Sequence, residues 1–226
     1  EPARDTSQGA RFSGQNPANR LRFTFSENGV VYYPSNRPGD DCSLGMQLAS
    51  YGDTPVSTKK LHLDGNRVTF ERGDVLEWYV NHPEGLEQGF TLAAPPANTG
   101  DDEITLTMTL TGDLKARWKV EGKSVQFYTD SNDYVFSYDK LVVMDATGKI
   151  LPAKMQLAHN ELHLQFDAAD ATWPVTVDPL TYTETKLLGR TSAAEADDYF
   201  GYSVAIDDTW VLIGAPYDDL GGAAYL

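Results

Sequence analysis

Apolar and polar residues alternate along most of this chain. Leu21-Arg-Phe-Thr-Phe25 alternates, as do Leu61-His-Leu63, Ile104-Thr-Leu-Thr-Met-Thr-Leu110, Ser124-Val-Gln-Phe127 and Leu162-His-Leu-Gln-Phe166. A period of two sends successive side chains to opposite faces of a strand, so each segment predicts a strand with one buried and one wetted face. No window keeps apolar residues at i, i+3, i+4 and i+7 over three turns, the pattern an amphipathic helix requires.

Turn chemistry separates these segments at short intervals. Glu27-Asn28-Gly29 and Asp64-Gly65-Asn66 hold the residue types that accept positive φ in tight hairpins. Thr111-Gly112-Asp113, Glu121-Gly122-Lys123 and Thr147-Gly148-Lys149 do the same. Regular short strands with glycine-bearing turns predict an all-β fold of sandwich or barrel type, and the pattern favours a β-sandwich region over residues 11–180. Residues 1–10 are polar and read as a loose lead-in. The Pro-Pro stretch Ala93–Asp102 is the clearest loop; it marks either a break between two sub-lobes, the slightly favoured reading, or a long crossover within one sandwich. Trp173-Pro174-Val-Thr-Val-Asp178-Pro179 predicts a short edge or terminal strand with a hard stop, followed by a joining segment over Thr181–Thr185.

The last stretch, residues 181–226, has its own rhythm. Alternating runs Tyr202–Ile206 and Trp210–Ile213 flank the polar turn Asp207-Asp208-Thr209, with corners at Phe200-Gly201 and Gly214-Ala215-Pro216. A third apolar run, Ala223–Leu226, follows Gly221-Gly222. Phe200-Gly201, the Ser203-Val204-Ala205 strand and Gly214-Ala215-Pro216 resemble, in order and spacing, the FG-GAP repeat of integrin α-subunit β-propellers and bacterial surface proteins. Gly85-Leu-Glu-Gln-Gly-Phe-Thr-Leu-Ala-Ala-Pro-Pro96 and Trp173-Pro-Val-Thr-Val-Asp-Pro-Leu180 resemble a β-rich domain that precedes such repeats in large surface or secreted proteins. The resemblance implies one incomplete propeller blade, an extracellular or cell-surface setting and an adhesive or scaffolding role. A single blade cannot bury its own apolar faces, so the expectation is that further repeats or another chain supply the neighbour.

Charge narrows the partners. The 226-residue chain carries a formal net charge of −15 with no basic cluster, which disfavours nucleic acid and anionic lipid. No apolar run of about eighteen residues is present to span a membrane as a helix. A lone cysteine, Cys42, stands beside Asp40 and Asp41; the acids disfavour a thiolate, and it reads as a structural thiol.

Candidate chemistry is sparse. Integrin-type blades often hold calcium on alternating oxygen ligands, but the equivalent loop here offers only Asp207 and Asp208, without a glycine, and predicts a hairpin turn. Asp197-Asp198, Asp218-Asp219 and Asp130-Ser-Asn-Asp133 are further acidic turns without an EF-hand pattern. His159 and His163 are four apart, yet Asn160 and the alternation of 161–166 make them straddle a turn rather than share a helical face. Gly201-Tyr-Ser203 is one residue short of a nucleophile elbow. The expectation is therefore no catalytic, cofactor or metal residue. Tyr32-Tyr33, Trp78-Tyr79 and Trp118 are the candidates for a sugar-stacking platform, although adjacent strand residues point to opposite faces. The sequence thus predicts a non-catalytic assembly or adhesion protein that pairs through a β-edge of 186–226 with a protein partner or a second copy. The alternative is a carbohydrate-binding or accessory module of a secreted hydrolase.

Overall fold

A computed structural model describes residues 11–35, 41–97, 102–183, 199, 202–207, 210–217 and 223–225. The chain divides into two compact units, Glu1–Glu184 and Thr185–Leu226. Described residues form strands, turns and loops, with no helix among them.

The first unit opens with β1 (Phe12–Asn16), β2 (Leu21–Ser26), β3 (Gly29–Pro34), β4 (Leu44–Tyr51) and β5 (Thr54–Pro55). A meander follows: β6 (Lys60–Asp64), β7 (Arg67–Arg72), β8 (Val75–His82) and β9 (Gly85–Leu92). Next come β10 (Glu103–Gly112), β11 (Lys115–Val120), β12 (Ser124–Tyr128), β13 (Tyr134–Met144), β14 (Ala153–Ala158), β15 (Glu161–Asp167) and β16 (Val175–Tyr182). The strands make two eight-stranded sheets. One runs β1-β2-β3-β4-β10-β15-β14 with β5 beside β4, and the other runs β11-β12-β13-β16-β9-β8-β7-β6. Every pairing is antiparallel.

The sheets pack as a sandwich because their inward positions are apolar. On β10, Ile104, Leu106, Met108 and Leu110 are buried while the intervening threonines face outward. Each such side chain contributes about 1.5–3 kcal/mol of burial. Aromatic rings bridge the layers: Phe25 of β2 lies 5.1 Å from Tyr79 of β8, and Tyr32 of β3 lies 5.2 Å from Phe136 of β13. The segment from Ala93 to Asp102 leads from β9 in one sheet to β10 in the other, and residues on both sides of it enter one apolar cluster.

One expectation is corrected. The stretch around Pro174 and Pro179 is not a terminal edge; β16 runs through Pro179 to Tyr182 between β13 and β9. Proline has no N–H for a ladder, so a central strand tolerates it only where pairing lapses. The lapse is supplied by β13, whose register jumps between Asp139 and Val142, with Lys140 at φ 58°.

The second unit holds a three-stranded antiparallel sheet in the order β17 (Ser203–Asp207), β18 (Trp210–Ala215), β19 (Ala223–Tyr225). Val204 stands opposite Ile213, and Ala205 opposite Leu212.

Candidate functional site

The aromatic candidates do not form a platform. Tyr32 and Tyr79 are core residues, and Trp78 is only 8% exposed. The Trp78 ring lies across Gly89 of β9, where a Cβ would stand 2.0 Å from it, and the Arg67 guanidinium covers it at 4.3 Å. Its indole N–H donates to Thr91 at 3.3 Å. Both ring faces are thus used within the fold, which leaves none for a sugar. Tyr33 is half-buried beneath Arg22 at 5.7 Å, and Trp118 packs against the core.

The polar candidates are also dispersed. His159 sits in the β14–β15 turn at φ 54°, and His163 lies on β15 with its Nε2 at 3.0 Å from Glu161. In the β12–β13 turn the Asp133 N–H donates to Thr129 at 3.1 Å, Arg117 reaches Asn132, and Asp130 faces Lys115 at 3.7 Å. Burial first, then Asp41, Asp113 and Asp130, pushes the Cys42 thiol up, away from a reactive thiolate. Among the described residues no group of three or more His, Cys, Asp or Glu is arranged to hold a metal ion. Asp40, Phe200-Gly201, Asp208-Thr209, Asp218-Asp219 and Asp197-Asp198 lie outside the described residues, as do Gly221-Gly222 and Leu226.

Sequence reading missed a recess on the outer face of the second sheet. It has a volume of about 350 Å³ and is lined by His82, Glu84, Glu87, Lys140, Val142, Asp178 and Leu180. Strand register assembles it: Glu87 of β9 pairs with Leu180 of β16, and Asp178 pairs with Val142 of β13. The β8–β9 end that carries His82 is pinned by asparagines of the first sheet. Asn16 donates to Asn81 at 2.9 Å and to the His82 carbonyl at 2.6 Å, and Asn19 donates to the Pro83 carbonyl at 3.0 Å. His82 Nε2 then sits 2.9 Å from Glu87.

Asp178 carries the perturbed chemistry of this recess. Partial burial, the Glu87 charge and a hydrogen bond shared with Glu87 push its carboxyl up to about 6, with His82 acting in the opposite sense. A hydrogen-bonded carboxyl pair is closer than the roughly 5 Å or more that glycoside hydrolysis needs between its acid and its nucleophile or base. The arrangement can hold a shared proton, and Lys140 is turned aside, its Nζ 4.9 Å over the Tyr182 ring. The alternation of β9 and β16 places Glu87 and Asp178 outward, but nothing in one strand's sequence says that they meet.

A second polar cluster is wholly internal. Glu77 of β8 is buried; it accepts from Arg72 Nε at 2.7 Å, from the Tyr79 hydroxyl at 2.7 Å and from Gln88 at 3.0 Å. The Tyr138 hydroxyl donates to Gln88 at 2.7 Å, and Gln88 reaches Met108 of the opposite sheet at 3.6 Å. This network ties five strands together across the two sheets.

The second unit differs in what it leaves uncovered. Val204 is 56% exposed and Leu212 is 45% exposed. Val204 shares a face with Ile213, so Leu212, one residue away on β18, lies on the other face. Tyr202 is also exposed, and Tyr199 and Tyr217 stack edge-on at 5.3 Å while both remain exposed.

Among the described residues no helix is long and apolar enough to cross a membrane. No curated protein and no solved structure matches the chain. A family match is found for one part: residues 184–226 match the family model described as FG-GAP repeat, the resemblance first carried by Phe200-Gly201 and Gly214-Ala215-Pro216. Repeats of this family are generally non-catalytic modules of extracellular proteins that mediate protein interactions. Residues 184–226, which take in the whole second unit, are thus similar to an FG-GAP repeat and follow a two-sheet β-sandwich in the chain.

Proposed function

We propose that this chain is an extracellular assembly or adhesion protein whose FG-GAP unit docks against another blade of the same repeat type. The observation that carries the proposal is the exposure of Val204 and Leu212 on opposite faces of one three-stranded sheet. In a propeller both faces of a blade are covered by its neighbours, and among the described residues no further strand pairs with the outer edge of β17 or of β19. Hydrophobic face packing supplies the affinity, and edge pairing supplies the register.

Sedimentation equilibrium of the full chain tests this directly. The wild-type chain is expected to self-associate with rising concentration, a second copy supplying the neighbouring blade. A Val204→Asp/Leu212→Asp variant is expected to stay monomeric with an unchanged β-type circular dichroism spectrum. A wild-type chain that remains a monodisperse monomer at high concentration refutes the proposal. For the glycan-binding alternative, Trp78 has both ring faces engaged within the fold, and Trp118→Ala is the variant that tests it.

A further inference from the structure

The first unit has a second recess, of about 230 Å³, walled by Tyr51, Ser57, Lys59, Arg72, Asp74 and Pro96 among others. Its floor and walls are fixed. The Tyr51 hydroxyl donates to the Ala94 carbonyl at 2.7 Å, and the Ala93 N–H donates to the Asp74 carbonyl at 2.9 Å, which holds the chain after β9 as one wall. The Lys59 N–H donates to the Glu71 carbonyl at 2.8 Å and fixes the other.

Arg72 connects this recess to the core. Its side chain is 1% exposed; Nε donates to Glu77 at 2.7 Å, and the guanidinium lies 4.9 Å over the Phe70 ring. Nη2 is buried and meets no acceptor among the described residues. Native proteins rarely leave a buried guanidinium donor unmet, because the group gives up its water without replacement. Across the turn, Lys59 Nζ lies 3.9 Å from the place a Cβ on Gly73 would take. Gly73 has φ 77°, so the turn keeps that space open without strain.

We propose that this recess binds a small carboxylate, with Arg72 Nη2 and Lys59 Nζ as its donors. Two donor-only cations call for an oxygen acceptor with negative charge, and one donor from each, Arg72 Nη2 and Lys59 Nζ, can meet the two oxygens of a carboxylate. Asp74 on the wall opposes a doubly charged phosphate. The volume falls below the roughly 300 Å³ at which sites for larger organic ligands begin, which limits the ligand to a few heavy atoms or to one acidic side chain. A chain of net charge −15 repels anions in general, so saturable anion binding requires a local site.

The test is a ¹⁵N–¹H NMR titration of the full chain with sodium succinate, with an N-acetylated, C-amidated Gly-Asp-Gly peptide, and with sodium phosphate and sodium chloride. Saturable shifts at Lys59, Gly73, Asp74 and Ala97 with succinate support a free acid as the ligand; the same shifts with the peptide alone support an acidic side chain. Lys59→Met is at an exposed position and keeps the fold, and it is expected to weaken binding about tenfold, the loss of one charge-assisted contact. Arg72→Lys serves as a second variant, read only if its spectrum remains that of the folded chain. Non-saturating shifts, equal shifts with phosphate, unchanged affinity in Lys59→Met, or shifts that map elsewhere each overturn the proposal. The site is independent of the blade-docking surface, so either reading can fail alone.

Discussion

Removal of Arg72 isolates the cost of an internal charge in this sandwich. The Glu77 carboxylate has no solvent exposure and is held by three donors, of which Arg72 is the charged one. In Arg72→Met the Tyr79 and Gln88 donors remain, but the counter-charge is gone from a buried site. Leaving one partner of a buried pair costs about 3–5 kcal/mol. Glu77→Leu leaves the guanidinium unpaired and also strips an acceptor from Tyr79 and Gln88, so its cost falls in that range as well. The double variant removes both charges. It pays only for the two neutral groups that lose their acceptor, about 1–3 kcal/mol each, offset by the apolar replacements.

The double variant is therefore expected to be at least about 2 kcal/mol more stable than the sum of the single losses. Urea unfolding of all four proteins, followed by tryptophan fluorescence, measures that coupling. Trp78, Trp118 and Trp173 all lie in the first unit and report its unfolding. Additive single losses, or an Arg72→Met cost below about 1 kcal/mol, would refute the reading of Arg72 and Glu77 as a buried pair that stabilises the fold.

Other consequences follow from named contacts. Gly89→Ala drives a Cβ into the Trp78 ring and is expected to cost about 2–3 kcal/mol in urea unfolding, with a red-shifted tryptophan emission; a cost under about 0.5 kcal/mol would show that the ring does not lie across Gly89. Asp178 has a folded value near 6 against an ordinary 3.8, so the folded state holds the extra proton between those values and stability falls as pH rises from about 4 to 6. The full difference corresponds to about 3 kcal/mol, which screening at this half-buried site reduces to about 1 kcal/mol. Asp178→Asn should therefore gain about 1 kcal/mol over wild type at pH 8 and nothing at pH 4, and an equal gain at both pH values would sink the argument. Tyr32, Tyr79 and Tyr138 are held above the ordinary tyrosine range, chiefly by burial. Ultraviolet titration should show these three phenols ionising only as the chain unfolds, with stability falling by about 1.4 kcal/mol per pH unit for each above pH 10. Smooth ionisation of all 12 tyrosines without unfolding would contradict their placement.

The alternation of apolar and polar residues was enough to find β2, β6, β10, β12 and β15, because each has one face turned to the core. The FG-GAP repeat was legible for a related reason: its signature lies in a short, contiguous run of corners and strands. What stayed hidden depends on pairing between distant strands. Pro179 argued locally for a stop, and only the bulge of β13 opposite it explains a proline within a central strand. Trp78 resembled a surface platform until Gly89 and Arg67, each on a neighbouring strand, were placed against it. Glu77 occupies an inward position between Val75 and Tyr79, so its burial was readable from phase, but its counter-charge required the β7–β8 register.

The two acidic clusters show why phase alone underdetermines chemistry. Glu77 points inward and is compensated by Arg72, so it acts as a fixed charge within the core. Glu87 and Asp178 point outward on adjacent strands, where Lys140 is turned onto Tyr182 and His82 Nε2 lies 2.9 Å from Glu87. Two like charges on neighbouring strands cannot both ionise freely, and one keeps its proton to near pH 6. A carboxyl group is thus part of a buried ion pair on one face of the second sheet and, at Asp178, titratable on the other, and the difference is set by the groups that the register brings within reach. The C-terminal unit follows the same logic in apolar terms. Ile213 is covered, whereas Val204, its cross-strand partner on the same face, is not. A sheet whose partners on one face differ so much in cover has apolar surface left to bury, which is the surface that the proposed docking of a second blade would use.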